Sequence, residues 1–188
     1  VDVLYDRAKK IAEGAALMAD VNYEMELISG IYEIQVNRTG QVAMQKNLEK
    51  LGPITFTDDE VEYANTILRE TGKEEKGIDG SVQKLRETKP AQGGSTDVGD
   101  VSQIVPVIRM RATISAKDGP WHSWAVVACS GMSIGHKGMV YAAKALGMTM
   151  ADLYTDKKLV EEVKKDFKVN KTNPVYQPRI LPGPPKLN

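Results

Sequence analysis

At 188 residues the chain can hold one full-sized domain, or one and a half smaller ones, with a core of real size. Its 25 basic and 25 acidic residues cancel and are scattered, which argues against a nucleic-acid or charged-membrane partner and for a small molecule or another protein. Apolar runs fall short of the roughly 20 residues a bilayer span needs, and the one cysteine, Cys129, has no internal disulfide partner, which suits a reducing cytoplasm.

The first element is a helix. Leu4, Ala8, Ile11, Ala15 and Met18 recur at the spacing of one helical stripe, so that face should be buried. Because this pattern is already running at Val1, the chain is expected to begin inside a larger fold. Val21, Tyr23, Met25 and Leu27 then alternate with polar neighbours, and Tyr32, Ile34 and Val36 resume the alternation after Gly30. One or two strands are expected, with Gly30 marking a bulge or a tight hairpin.

A helix through Val42, Met44, Leu48 and Leu51 should end at Gly52-Pro53. Thr57 and Glu60 have the spacing of a capping box, predicting a helix that runs to about Thr71. Lys73 to Gly80 reads as a solvated loop, with a short helical turn expected near Val82 to Arg86. Pro90 to Gly99 should turn sharply on its glycines. Ile104 to Ala116 reads as a strand, with Ile108, Met110, Ala112 and Ile114 on one face and Arg109, Arg111 and Thr113 on the other. Helix is expected from Ser123 to Leu146, broken at Gly131 with Ser133 capping its second half, and again from Asp156 to Phe167. The tail holds five prolines and should be extended.

Two places carry residues of chemical interest. Gly93 to Ser102 holds Asp97 and Asp100 in a glycine-rich turn, where carboxylates either bind a cation, orient a histidine, or simply cap their own backbone. It is not a P-loop, since no Gly-Lys-Ser/Thr follows. His122 sits between Trp121 and Trp124 where a strand should end, either as a metal ligand or as an imidazole packed on indole rings. His136 on the later helix either lines a pocket or is a helix-packing residue with Lys137 solvent-exposed beside it. Cys129 reads as a small buried residue.

The run Gly94 to Ser102, then Pro106, Trp121-His122-Ser123-Trp124, Ala128 to Met139 and Ala142-Ala143-Lys144, resembles in order and spacing the metal-dependent amidohydrolases of the aminoacylase and carboxypeptidase type, in the branch acting on p-aminobenzoyl-glutamate. Weaker similarity covers Ala12 to Met18 and Asn37 to Gly52. The resemblance implies an α/β catalytic domain, with a metal centre at its sheet, interrupted by an α+β, ferredoxin-like lid and dimerisation domain.

On it, residues 1–37 would be the second half of the lid, 38–168 the carboxy-terminal half of the catalytic domain, and 169–188 a proline-rich extended tail. His122 would be a ligand of a divalent metal, zinc or manganese, with Asp97, Asp100 and His136 behind it or lining the pocket. The general base and remaining ligands would lie outside this chain, which is therefore expected to be inactive alone and need not hold the metal by itself. The implied substrate is an N-acyl amino acid and the implied partners are a second copy or a related subunit. A non-catalytic dimerisation module and a di- or oligopeptidase are the alternatives.

Overall fold

The computed structural model describes residues 2–87, 94–171, 175–180 and 183. Two compact units emerge, one made of Val1–Tyr32 with Gln177–Asn188 and the other of Glu33–Tyr176. Seven helices account for the regular structure of the described residues: α1 (Asp2–Ala19), α2 (Arg38–Leu51), α3 (Asp58–Glu70), α4 (Val98–Ile104), α5 (Trp124–Ser130), α6 (Ser133–Thr155) and α7 (Lys157–Asn170).

In the first unit α1 forms as its periodicity requires, but its stripe is not buried. Leu4 is 69%, Ile11 72% and Met18 86% exposed, and only Ala16 is buried along the helix. Residues 21–32, expected as strands, carry no ladder. Gly30 serves close approach rather than a turn, because a Cβ there would lie 2.9 Å from Cβ of Arg179. The Arg179 guanidinium stacks 4.3 Å from the Tyr32 ring centroid and pairs with Asp2, while the Tyr32 hydroxyl donates to the Gln177 carbonyl at 3.0 Å.

The second unit is held by helix packing: α2 on α6 and α7, α6 on α5 and α7, and α3 on α5. Its apolar core joins Ala64, Ile67 and Leu68 of α3 to Ala125 and Cys129 of α5, Ile134 of α6 and Ala116. A polar seam ties α2 to its neighbours. Asn37 caps α2 by accepting from Gly40 N–H at 2.9 Å and donates to the Val163 carbonyl of α7 at 2.9 Å. Asn47 donates to Thr149 at 3.1 Å and to Asp152 at 2.7 Å on α6. Both asparagines are buried, where unmet amides would be costly.

The α/β expectation is not confirmed, since no strand forms among the described residues. A strand must bond to a neighbour, whereas the backbone of Val107 to Ala116 bonds to nothing among the described residues until Ala116 accepts from Gly119. Strand periodicity nonetheless persists in its packing: Arg109 and Arg111 are exposed, while Ile108 lies against Gly40 of α2 and Ile114 against Gly138 of α6. Residues 33–37 find other partners, Gln35 N–H bonding Ser102 Oγ at 2.8 Å and Glu33 O accepting from Gln103 Nε2 at 3.0 Å. Val82 to Arg86 is irregular rather than helical, held by Gln45 and Arg38 side chains of α2 on the carbonyls of Gln83 and Arg86.

The helix boundaries follow their local signals. Thr57 and Glu60 form the capping box of α3, Gly52 ends α2 at φ 74°, and Gly131 separates α5 from α6. The N-cap of α6 is Met132 rather than Ser133, whose hydroxyl is used elsewhere. Residues 90–93 of the expected glycine turn, and Pro174, Pro182, Pro184 and Pro185 of the tail, lie outside the described residues.

Gly40 tests the helix-to-segment contact, because a Cβ there would lie 2.5 Å from Ile108 Cγ1. Overpacking of this kind costs about 1–3 kcal/mol, against a gain of about 1 kcal/mol in helix propensity. Gly40→Ala should therefore lower unfolding stability by about 1 kcal/mol in urea titration, and the loss should vanish in an Ile108→Ala background.

Candidate functional site

His122 stands in the turn that leads into α5. Ser123 builds this turn, accepting from Ala125 N–H at 3.3 Å as N-cap and donating its hydroxyl to the Pro120 carbonyl at 2.6 Å. Held between these bonds, His122 adopts φ 58°, the left-handed region, which costs a non-glycine residue about 1–2 kcal/mol. Its imidazole is exposed, meets the Trp121 ring edge-on at a centroid distance of 6.2 Å, and has no hydrogen-bond partner among the described residues. Backbone strain at a solvent-facing histidine is the kind of feature that functional sites retain. The turn rests on the α3, α5 and α6 core rather than at the end of a sheet strand.

Asp97 and Asp100 are not in an irregular turn. Asp97 occupies the N-cap position of α4 at φ −62° without a side-chain cap bond, and Asp100 lies in its first turn, so the two carboxylates share one side of a short helix. Asp97 is exposed; Asp100 is half-buried and accepts from the Tyr176 hydroxyl at 2.9 Å. The sequence signal for α4 was masked by Gly94 and Gly99, of which Gly94 does take the left-handed φ of 112° while Gly99 is buried inside the helix. His136 is exposed on the first turn of α6. The structure thus brings Asp97 and Asp100 together, and no hydrogen bond or ion pair joins His122 to them or to His136.

Among the described residues no three His, Cys, Asp or Glu side chains converge as a metal ion requires. The donors of this chain do not by themselves fit a metal centre. Cys129 is fully buried in the core beneath the His122 turn.

A polar cluster that the sequence reading missed joins α3 to α6. Glu60, 8% exposed, accepts from Lys137 Nζ at 2.6 Å on one oxygen and from Ser133 Oγ at 2.6 Å on the other, while Thr57 N–H donates to it at 2.7 Å. Lys137 is half-buried, not solvent-exposed as expected; it also donates to the Thr55 carbonyl at 3.1 Å. The Lys137 bond, then that of Ser133, holds the Glu60 carboxyl down to about 2 from 4.5. With its donors coming from both helices and the Thr57 cap, this cluster clamps α3 to α6. The capping box was visible as a local pattern, but the 77-residue separation of Glu60 and Lys137 left no signal in the sequence.

The wide opening in the second unit is a cleft of about 1190 Å³ walled by α2, residues 79–87 and residues 107–113. A smaller one of about 180 Å³ lies over Ala112 to Lys117 and Trp121. None of His122, Asp97, Asp100 or His136 lines either.

A lowered carboxylate pKa stabilises the fold above its unfolded value and loses that contribution as pH falls toward the folded one. Glu60 should therefore contribute up to about 3 kcal/mol at neutral pH, reduced by the partial exposure of Lys137, and lose it between about pH 5 and pH 2. Acid titration of unfolding stability should show this fall in the parent chain, and Glu60→Gln should flatten it while lowering stability at pH 7.

No family model and no solved structure match the chain significantly. Over 99% of its length the chain is 31% identical to a subunit of the p-aminobenzoyl-glutamate hydrolase of Escherichia coli strain K12. The aligned span of 215 residues exceeds the 188 of the chain, so the relative carries residues inside it that have no counterpart here. No described helix is long and apolar enough to cross a membrane. In sequence, the chain is the counterpart of the carboxy-terminal portion of that hydrolase subunit and spans 45% of its length.

Proposed function

We propose that the chain supplies the carboxy-terminal part of a cytoplasmic metal-dependent amidohydrolase that cleaves the amide of p-aminobenzoyl-glutamate or a similar N-acyl amino acid. The observation that carries this reading is the 31% identity to a hydrolase subunit along 99% of the chain. The exposed, left-handed His122 supports it, since both of its ring nitrogens are available and the Ser123 bonds fix where the ring stands. In this reading His122 lends one imidazole to a zinc or manganese site whose other donors, and the general base, belong to the portion of the protein outside this chain. Asp97 and Asp100 would act behind it, and His136 would face a substrate pocket completed by that other portion.

The chain alone, with manganese or zinc added, should not turn over p-aminobenzoyl-glutamate. Joined to the amino-terminal portion of the Escherichia coli relative it should do so, and His122→Ala should lower that activity by about 100-fold or more. Turnover by the isolated chain, or full activity in the variant, would defeat the assignment.

A second role concerns assembly. The exposed Leu4, Ile11 and Met18 stripe of α1, with exposed Val21, Tyr23 and Met25 after it, leaves an apolar surface that isolated monomers rarely carry. Each such side chain gains roughly 1.5–3 kcal/mol when covered, and we propose that residues 1–37 mediate association with a second copy or a related subunit. Light scattering behind size exclusion should show a dimer or larger assembly at tens of micromolar, reduced to a monomer by Ile11→Glu with Met18→Glu. A monomeric parent chain would remove the role.

A further inference from the structure

Trp121 and Trp124 are the two tryptophans of the chain, they flank His122, and both stand in solvent, 61% and 55% exposed. An indole is a large apolar surface that folding normally covers, and aromatic side chains left bare beside a polar group are the usual makings of a ligand platform. Trp121 is the one placed to serve. Its ring meets the His122 imidazole edge-on, and it walls the small cavity over Ala112 to Lys117 that also includes Asp79. A group lying in that cavity against Trp121 is therefore one side chain away from His122.

The cavity measures about 180 Å³. An apolar cavity of about 150 Å³ takes one benzene ring, so the space matches a single six-membered ring with a small substituent rather than a bicyclic group. A flat ring also stacks on an indole, which a saturated one cannot do. The polar end of the cavity is Asp79, whose carboxyl the Ser81 hydroxyl and then the Ser81 N–H hold below its ordinary range, so it is ionised at neutral pH. Ser81 takes Asp79 Oδ1, with its hydroxyl at 2.5 Å and its N–H at 3.0 Å. Oδ2 meets only Gln83 Nε2 and Lys117 Nζ, both at 3.5 Å. Contacts that long leave the oxygen able to accept from a further donor. An aromatic ring carrying an amine fits both features, the ring on Trp121 and the amine on Asp79.

We infer that the cavity between Trp121 and Asp79 is the acyl-group subsite, in which an aminobenzoyl ring stacks on Trp121 and donates its amine to Asp79 while its carbonyl end turns toward His122. The inference rests on the reading of this chain as part of an amidohydrolase, and names the residues that choose the acyl group.

Because both tryptophans flank His122, the two indole N–H resonances of the isotope-labelled chain report on this turn alone. The probe is p-aminobenzamide, a neutral model of the acyl end, titrated into the chain against benzamide and cyclohexanecarboxamide. The expected result is a saturable shift of the Trp121 resonance, identified by its loss in Trp121→Phe, and an affinity at least fivefold above that of the saturated ring. Saturation transfer to the ligand should show binding weakened at least tenfold by Trp121→Leu and far less by Trp121→Phe, which keeps an aromatic face. Asp79→Asn should weaken p-aminobenzamide at least threefold more than benzamide. Since Trp121 is exposed, its variants should fold like the parent chain by circular dichroism. In the chain joined to the amino-terminal portion of the Escherichia coli relative, Trp121→Leu should lower kcat/KM for p-aminobenzoyl-glutamate at least tenfold more than for acetyl-glutamate. No saturable shift, equal affinity for the saturated ring, equal losses in the Leu and Phe variants, or equal losses of the two benzamides in Asp79→Asn would each overturn the inference. Binding at Trp121 in a joined protein without turnover would sink the hydrolase reading and leave the subsite standing, whereas turnover without that binding would do the reverse.

Discussion

An α-helix satisfies most of its backbone hydrogen bonds internally, and a strand satisfies none of its own. That asymmetry governs this molecule. Where the sequence carries helical periodicity the helix forms, even along α1, whose apolar stripe has nothing to cover it. Where it carries strand periodicity, at 21–36 and 104–116, the side chains sort by face in part but no ladder closes. The second unit consequently has a settled helical layer and one unpaired segment laid across it by Ile108 and Ile114.

Close approach makes that arrangement possible. A Cβ at Gly138 would lie 2.2 Å from the Thr113 carbonyl oxygen, and one at Gly40 would meet the Ile108 side chain, so both helices bring bare backbone to the segment. At the first turn of α6 the Glu60 cluster performs the complementary task. By taking Ser133 and Lys137 at once it fixes the first turn of α6 against the start of α3, with the Gly131 turn and α5 packed between. The His122 turn is therefore rigidly based although its tip is in solvent.

Legibility in the sequence follows range. Signals that act within one turn were readable: the Thr57 and Glu60 capping box, the Gly52-Pro53 stop, the Gly131 break, and the Leu159, Val160, Val163 and Phe167 stripe of α7. Those that depend on distant partners were not. Glu60 looked complete as a cap and gave no hint of Lys137; Lys137 looked like a solvated helix residue for the same reason. α4 was hidden because Gly99, which weakens a helix in isolation, is buried by tertiary packing, with Ser102 and Gln103 committed to residues 33–35. For the site, the sequence located the residues but not their relation: Asp97 and Asp100 prove to share a helix side, whereas His122 and His136 stand apart in bonding.

Exposure of His122, Asp97 and His136, with Asp100 half-buried, has a physical consequence for how a site could arise from them. A divalent metal needs three or four donors fixed within coordination distance, and a single imidazole in water holds one only weakly. What this chain can contribute is pre-organisation: Ser123 commits two hydrogen bonds to the turn, and His122 keeps a strained backbone that an unconstrained loop would relax. Strain of this sort is sustained by the α3, α5 and α6 core beneath it, whose members Leu68, Ala64 and Cys129 are fully buried. A ligand so placed gains value only when further donors are brought to it, and the packed segment 107–116 leads through the Asp118-Gly119-Pro120 turn directly into His122, so the core that holds that segment also holds the turn.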